Sequence, residues 1–184
     1  MALFTWIIVS LVALVILITI YYYNKFVVLG NRIDNALAQI DVQLRKRADL
    51  VPNLMNTVKG YVKHEKAIFK QLTDARKEMT KAKDLPGRMK AGNKMQDALK
   101  TIFAMAESTP ELKANENFLH LQRELSAIED KVAYSRQFYN DGILSFNNAV
   151  KVFPGSFFAS IFNQKQKKFL EIPAAARAVP KVEF

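Results

Sequence analysis

The residues of this chain best suited to chemistry are two histidines and a scatter of carboxylates and guanidiniums, and their spacing excludes most reactions. Glu116, His120 and Glu124 recur at steps of four, on one face of a helix. Such a trio could hold a divalent metal, but solvated i,i+4 contacts are the expected use. A di-iron bundle needs Glu-x-x-His on two helices. Here Asn117 stands three before His120, and Tyr61 three before His64. The pair His64-Glu65 does not open a metalloprotease H-E-x-x-H, because Ile68 occupies the fourth place after His64. There is no cysteine, so thiol nucleophiles and disulfides are excluded. The six glycines are scattered, with no phosphate-cradling loop, and no serine stands in G-x-S-x-G. The expectation is therefore no enzyme: no catalytic residue, no metal, no cofactor.

The stretch RADLVPNLMNTVKGYVKHEK, Arg47 to Lys66, carries charges and helix breakers within an apolar rhythm. The rhythm puts Arg47 and Glu65 at inward positions. They are 18 residues apart, about 27 Å along a helix, so they cannot pair with each other. An unpaired buried charge is costly. Each needs a partner elsewhere, with Glu129 and Arg136 as candidates, unless both lie near the edge of the seam and reach water. Pro52 lacks the amide that would bond to Ala48, which predicts a kink. Gly60 weakens the helix or admits a close neighbour. These residues are expected to shape and register a helix.

The elements that carry them follow from periodicity. Ala2 to Tyr23 holds no charged side chain, and about 20 apolar residues in a helix cross a bilayer core. A cleaved leader would start basic, run shorter and exit through A-x-A. This run instead ends in Tyr21, Tyr22 and Tyr23, followed by Lys25, residues suited to the membrane interface. Residues 1–24 are expected to be an uncleaved anchor. Lys25 and Arg32 beyond it keep the carboxyl side in the cytoplasm by the positive-inside rule, with the amino terminus outside.

From Ile33 the apolar residues step by four and three through Leu37, Ile40, Leu44, Val51, Leu54, Val58, Tyr61, Ile68, Leu72, Ala75 and Met79. That predicts one continuous helix with a coiled-coil-like seam, ended by KDLPG at Lys83–Gly87. A shorter helix follows near Arg88–Glu107, with Met95, Leu99 and Ile102 on one side. Ser108 or Thr109 would cap the next, with Pro110 in its first turn. A third pattern runs from Ala114 through Phe118, Leu121, Leu125, Ile128, Val132, Ser135, Tyr139, Gly142, Phe146 and Ala149 to Phe153, stopped by Pro154-Gly155. Small residues alternate with aromatics in its second half, as where helices come close. Ser156–Leu170, with Lys165, Lys167 and Lys168, predicts a short amphipathic helix that caps a bundle end or lies on a membrane. The tail, residues 171–184, is expected to be extended or disordered. No strand signal is present. The fold class is all-α: a transmembrane helix, then an elongated antiparallel helical bundle over residues 25–170. An up-down-up order leaves the third helix overshooting, so the bundle is offset or a neighbouring subunit covers the excess.

Net charge is +10, with 17 Lys/Arg against 8 Asp/Glu from Lys25 to Lys100 and 10 against 9 from there on. A basic half suits a polyanion. Few aromatics interleave it, so nucleic acid is not expected. A chain tethered at a bilayer meets anionic headgroups first, each nearby Lys or Arg contributing about 1 kcal/mol.

Five stretches carry a resemblance: IDVQLRKRADLVPNL (Ile40–Leu54), VKGYVKHE (Val58–Glu65), ANENFLHLQRELSAIE (Ala114–Glu129), RQFYND (Arg136–Asp141) and FNNAVKVFPGSFFA (Phe146–Ala159). With the amino-terminal anchor, they make the chain resemble the LemA family over nearly its whole length. The resemblance implies a helical bundle at the bacterial inner membrane with no established enzymatic activity, in a family with a magnetosome-associated branch linked to membrane biogenesis. On the family's motif positions stand Arg47, Asp49, Pro52, Asn53, His64, Glu65, Glu129, Arg136, Tyr139, Asn140, Asn147 and Pro154. The resemblance assigns them no catalytic role. Phe146 stands where the family typically has tyrosine, and ESTPELKA has threonine where an aromatic is common. The expected function is a non-enzymatic scaffold that forms homo-oligomers through its long helices and organises or remodels membrane. The alternative is an adaptor presenting a helical face or its VPKVEF tail to a membrane protease or other envelope protein.

Overall fold

The computed structural model describes residues 1–61 and 65–170. Among them are six helices and no strand: α1 (Ala2–Val58), α2 (Lys66–Lys81), α3 (Leu85–Glu107), α4 (Pro110–Lys113), α5 (Glu116–Lys151) and α6 (Gly155–Ile161). They form two compact units, one from Leu37–Ser135 and one from Met1–Ala36 with Arg136–Phe184. Helices α1 and α5 contribute to both.

In the Leu37–Ser135 unit, α1 buries Ile40, Leu44, Ala48, Val51, Leu54 and Val58, an apolar stripe at steps of three and four. The continuous helix expected through Met79 does not form. The chain leaves α1 at Val58, where the Tyr61 amide turns back to the Val58 carbonyl at 2.9 Å. Gly60 explains the location, since a helical glycine costs about 1 kcal/mol relative to alanine. Nothing lies within 4 Å of the position a Cβ would take there, so the glycine admits no neighbour. The break lets α2 fold back along α1 and bury Leu72, Ala75 and Met79. Tyr61 and Glu65, both expected inward, are exposed.

A tight connection then reverses the chain into α3. Asp84 caps it, its Oδ1 accepting from the Gly87 amide at 3.3 Å, with proline in the first turn. Lys94 meets Glu78 across the hairpin at 2.7 Å. Thr109 occupies the N-cap of α4, but its hydroxyl turns back to the Met105 carbonyl at 3.1 Å. The cap that opens α5 is Asn115, whose Oδ1 accepts from the Phe118 amide at 3.0 Å. That places the start at Glu116, past the cap expected at Ser108 or Thr109, and Pro110 opens the separate turn α4 instead. Phe118, Leu121, Leu125, Ile128, Val132 and Ser135 of α5 close the core. The bundle is antiparallel as expected, but its order is up-down-up-down, because the break after Val58 makes two helices of the expected first one.

In the other unit, α1 buries Phe26, Leu29, Ile33 and Ala36, and α5 buries Tyr139, Ile143, Phe146 and Ala149. A Cβ on Gly142 would stand 3.1 Å from Ile33 Cγ1, so this glycine is where the two helices approach. After the cis Phe153-Pro154 bond the chain doubles back into α6. A Cβ on Gly155 would run into the Ala149 carbonyl oxygen, so only glycine fits that turn. Helix α6 is shorter than expected: it stops at Ile161, and Lys165, Lys167 and Lys168 lie on non-helical chain. The first part of α1 is long and apolar enough to cross a membrane, with large side chains such as Trp6 and Leu14 more than half exposed. The tail from residue 171 lies outside the described residues.

Candidate functional site

Three polar arrangements gather half of the motif residues. The deepest centres on Arg47, 2% exposed on α1. Its Nη2 pairs with the Glu129 carboxylate of α5, and its Nη1 donates to the Gly92 carbonyl of α3 at 3.4 Å. One guanidinium thereby ties three helices. Gly92 also packs closely on α1: a Cβ there would lie 2.7 Å from Leu44 Cδ2, and that side chain would have to shift. Burial lowers the Arg47 pKa, opposed by the charge and hydrogen bond of Glu129. Arginine stays protonated in such settings, so the group is a fixed cation and offers no proton.

The second arrangement surrounds Pro52. A helix carbonyl bonds the amide four residues on, and proline has none. The Ala48 carbonyl is thus left over, and Arg76 Nε of α2 donates to it at 3.0 Å. The helix runs on past Pro52 to Val58. Beside it lies a cleft of about 330 Å³ bordered by Asp41, Arg45, Asp49, Arg76, Thr80 and Arg88. Three of its charges are joined: Asp41 accepts from Arg45 Nε at 3.0 Å and from Arg88.

The third is a clamp on α5. Asn147 holds residue 167 twice, its Nδ2 donating to the Lys167 carbonyl at 2.9 Å and its Oδ1 accepting the Lys167 amide at 2.8 Å. Asn140 Oδ1 accepts the Leu170 amide at 3.0 Å, and the Tyr139 hydroxyl donates to the Lys168 carbonyl at 3.4 Å. Seven helical residues separate the asparagines, about 10 Å. Three residues of chain cover that distance only when nearly fully extended, at about 3.3 Å each. The segment after α6 therefore lies extended and antiparallel on α5, its backbone bonded by amide side chains as if by a neighbouring strand. Lys167 Nζ sits 5.1 Å over the Phe146 ring. Burial raises the Tyr139 pKa, and the charge of Asp34 raises it further.

The remaining candidates are dispersed. Asp49 and Asn53 are exposed on α1, Glu65 is exposed at the N-cap position of α2, and Arg136 is half-buried on α5. Pro154 holds the N-cap position of α6. His64 lies outside the described residues. His120 Nδ1 is 3.9 Å from Glu124 on the exposed face of α5, and no three metal-ligating side chains converge among the described residues. Of the interfacial candidates, Tyr21 and Tyr23 are exposed, Tyr22 is half-buried, and the Lys25 ammonium lies 5.6 Å from the Tyr21 and Tyr22 ring centres. Sequence reasoning missed Gly92, Arg76 and the clamp.

The chain is similar to curated proteins of two kinds. Magnetosome protein MamQ of Magnetospirillum gryphiswaldense is 24% identical over 195 residues, covering 90% of this chain and 72% of that protein. Magnetosome protein MamQ 2 of Paramagnetospirillum magneticum is 22% identical, covering 81% of this chain and 64% of its own length. Protein LemA of Metamycoplasma hominis is 27% identical over 127 residues, 67% of this chain and 57% of that protein. This chain thus spans about two thirds of the curated relatives it matches. The model described as the LemA family matches residues 36–184, a range that takes in Arg47, Glu129 and the asparagine clamp, and the chain belongs to the LemA family.

Proposed function

We propose that this protein is a non-enzymatic scaffold anchored in the bacterial inner membrane, which self-associates through its long helices and organises or remodels the bilayer. The observation that carries the reading is the continuity of α1. One helix supplies both an exposed apolar stretch of membrane-crossing length and the buried stripe of a bundle. A further feature supports it. Arg47, Asn140, Asn147 and Tyr139 are engaged in holding backbone and helices, which is how an architectural protein uses buried polar groups.

The relatives named as magnetosome proteins favour a role in organised membrane. In this reading Lys25 and Arg32 hold the bundle on the cytoplasmic side, facing anionic headgroups. Size measurement and imaging of the full chain in mild detergent test the proposal. The expected particle is many times larger than one 21.0 kDa chain in a micelle. A lone monomer at all concentrations would overturn it.

A further inference from the structure

We propose that the turn between α5 and α6, with the outer face of α6, is a second membrane contact: an apolar wedge that enters the headgroup–acyl boundary beside the span. The proposal rests on the anchor reading above. Val152, Phe153, Phe157 and Ile161 are 62%, 81%, 61% and 58% exposed, four large apolar side chains within ten positions. Phe157 and Ile161 are one turn apart and share a face of α6. The opposite face is fixed: Phe158 and Ala159 are buried.

What fixes that face also sets its depth. The Phe158 ring stacks on Tyr22 at 5.0 Å with the planes 8° apart, and Phe162 meets Tyr23 edge-on at 5.5 Å. Tyr22 and Tyr23 close the apolar run, where a span leaves the hydrocarbon. The level of α6 follows from covalent continuity and ring contact. Exposed apolar side chains held at that level face lipid.

Charge selects the same occupant. From Gly142 to Leu170 the sequence holds four lysines, Lys151, Lys165, Lys167 and Lys168, and no carboxylate. From Met1 to Ile33 it holds Lys25 and Arg32 and again no carboxylate. A cationic rim around an apolar face is the pattern of an interfacial helix on anionic lipid. The wedge would fix the rotation of α1 about the membrane normal, which a single span leaves free.

Trp6 is the only tryptophan, so one-tryptophan variants are simple to make. The full chain is reconstituted in phosphatidylglycerol-containing vesicles whose acyl chains are brominated either near the headgroup or near the chain end. Wild-type Trp6 reports the span. In a Trp6→Phe background, Phe157→Trp reports the wedge, and Phe138→Trp, exposed on α5, serves as the control. Quenching of Phe157→Trp is expected to exceed the control by about twofold or more, and to be stronger with bromine near the headgroup. Ile161→Trp, on the same face, should repeat the result if Phe157→Trp folds poorly by circular dichroism. Quenching no greater than the control at both sites, with Trp6 still quenched, overturns the wedge and leaves the anchor standing. Blue-shifted emission without bromine quenching would mean that protein covers the face, and also overturns it. An unquenched Trp6 removes the span and the wedge together.

Discussion

The pair of Arg47 and Glu129 is lopsided: the arginine side chain is 2% exposed and the glutamate 39%. Removing Glu129 strands a desolvated cation that still donates to the Gly92 carbonyl, at a long 3.4 Å. Removing Arg47 leaves a carboxylate that water can reach. Losing one partner of a buried pair costs about 3–5 kcal/mol, while an apolar residue of similar volume is often neutral. Glu129→Ala is therefore expected to lose about 3 kcal/mol. Arg47→Ala, which also opens a cavity, loses a comparable amount, about 3 kcal/mol. Arg47→Met, which keeps the aliphatic stem, loses about 1 kcal/mol or less. Denaturant unfolding of the three variants checks the order, and equal losses for Glu129→Ala and Arg47→Met would contradict it. Tyr139 supplies a pH-dependent counterpart. Its folded pKa lies above the usual 10.0 because burial and Asp34 disfavour the phenolate. The unfolded tyrosine therefore loses its proton first as pH rises. The Tyr139 contribution is whole below pH 10.0 and is lost on passing upward through the folded pKa. Tyr139→Phe cannot titrate and gives up a long hydrogen bond, a loss of about 1 kcal/mol or less. The stability gap between wild type and Tyr139→Phe should stay flat below pH 10.0 and shrink or reverse above it. Chemical unfolding at a series of pH values reads that gap, and one unchanged on the alkaline side would refute the assignment.

At the scale of elements, α1 tolerates Pro52 because α2 supplies what proline removes. Arg76 Nε donates to the Ala48 carbonyl at 3.0 Å, in place of the missing amide of residue 52. The two changes should therefore couple. Arg76→Met alone strands a helix carbonyl and is expected to cost about 1 kcal/mol. In a Pro52→Ala background the backbone satisfies Ala48, and the same change should cost nearly nothing. A double-mutant cycle by thermal melting measures the coupling. Equal costs in both backgrounds would mean that Arg76 acts only through its charge. This contact also shows what the sequence could not disclose. The helices were legible because each buries one stripe at helical spacing, as Leu44, Val51 and Leu54 do on α1 and Phe118, Leu125 and Val132 on α5. The break between α1 and α2 was not, because residues 59–65 span one heptad and leave the phase of the stripe unchanged. Periodicity runs straight through such a break. Glu65 consequently looked inward and is exposed. The extended segment on α5 has no period of its own; its register is set by Asn140 and Asn147, whose partners are backbone atoms that no pattern of side chains announces.

Over the whole molecule, charge and hydropathy are arranged along the chain in a way that bears on its direction in a membrane. The apolar run from Ala2 to Tyr23 is followed by Lys25 and Arg32 before the first carboxylate, Asp34. Positive charge within about 15–20 residues of a span is retained in the cytoplasm, so the proposed orientation follows from two side chains and is open to a direct check. The sequence contains no cysteine, which makes any introduced thiol unique. Ser126 is exposed on α5, and Ala2 is exposed at the amino end of α1. In spheroplasts expressing the full chain, Ser126→Cys should resist a membrane-impermeant maleimide and react once the cells are lysed. Ala2→Cys should react in both conditions. The reverse pattern would put the bundle outside and remove the cytoplasmic leaflet from the scaffold reading. Labelling of both sites in intact spheroplasts would mean that residues 2–23 do not cross the bilayer, and the anchor itself would fail. Lys25→Glu with Arg32→Glu extends the test: if those two cations set direction, the protected site should become at least partly reactive, while a bundle held inside by other means would keep Ser126→Cys protected.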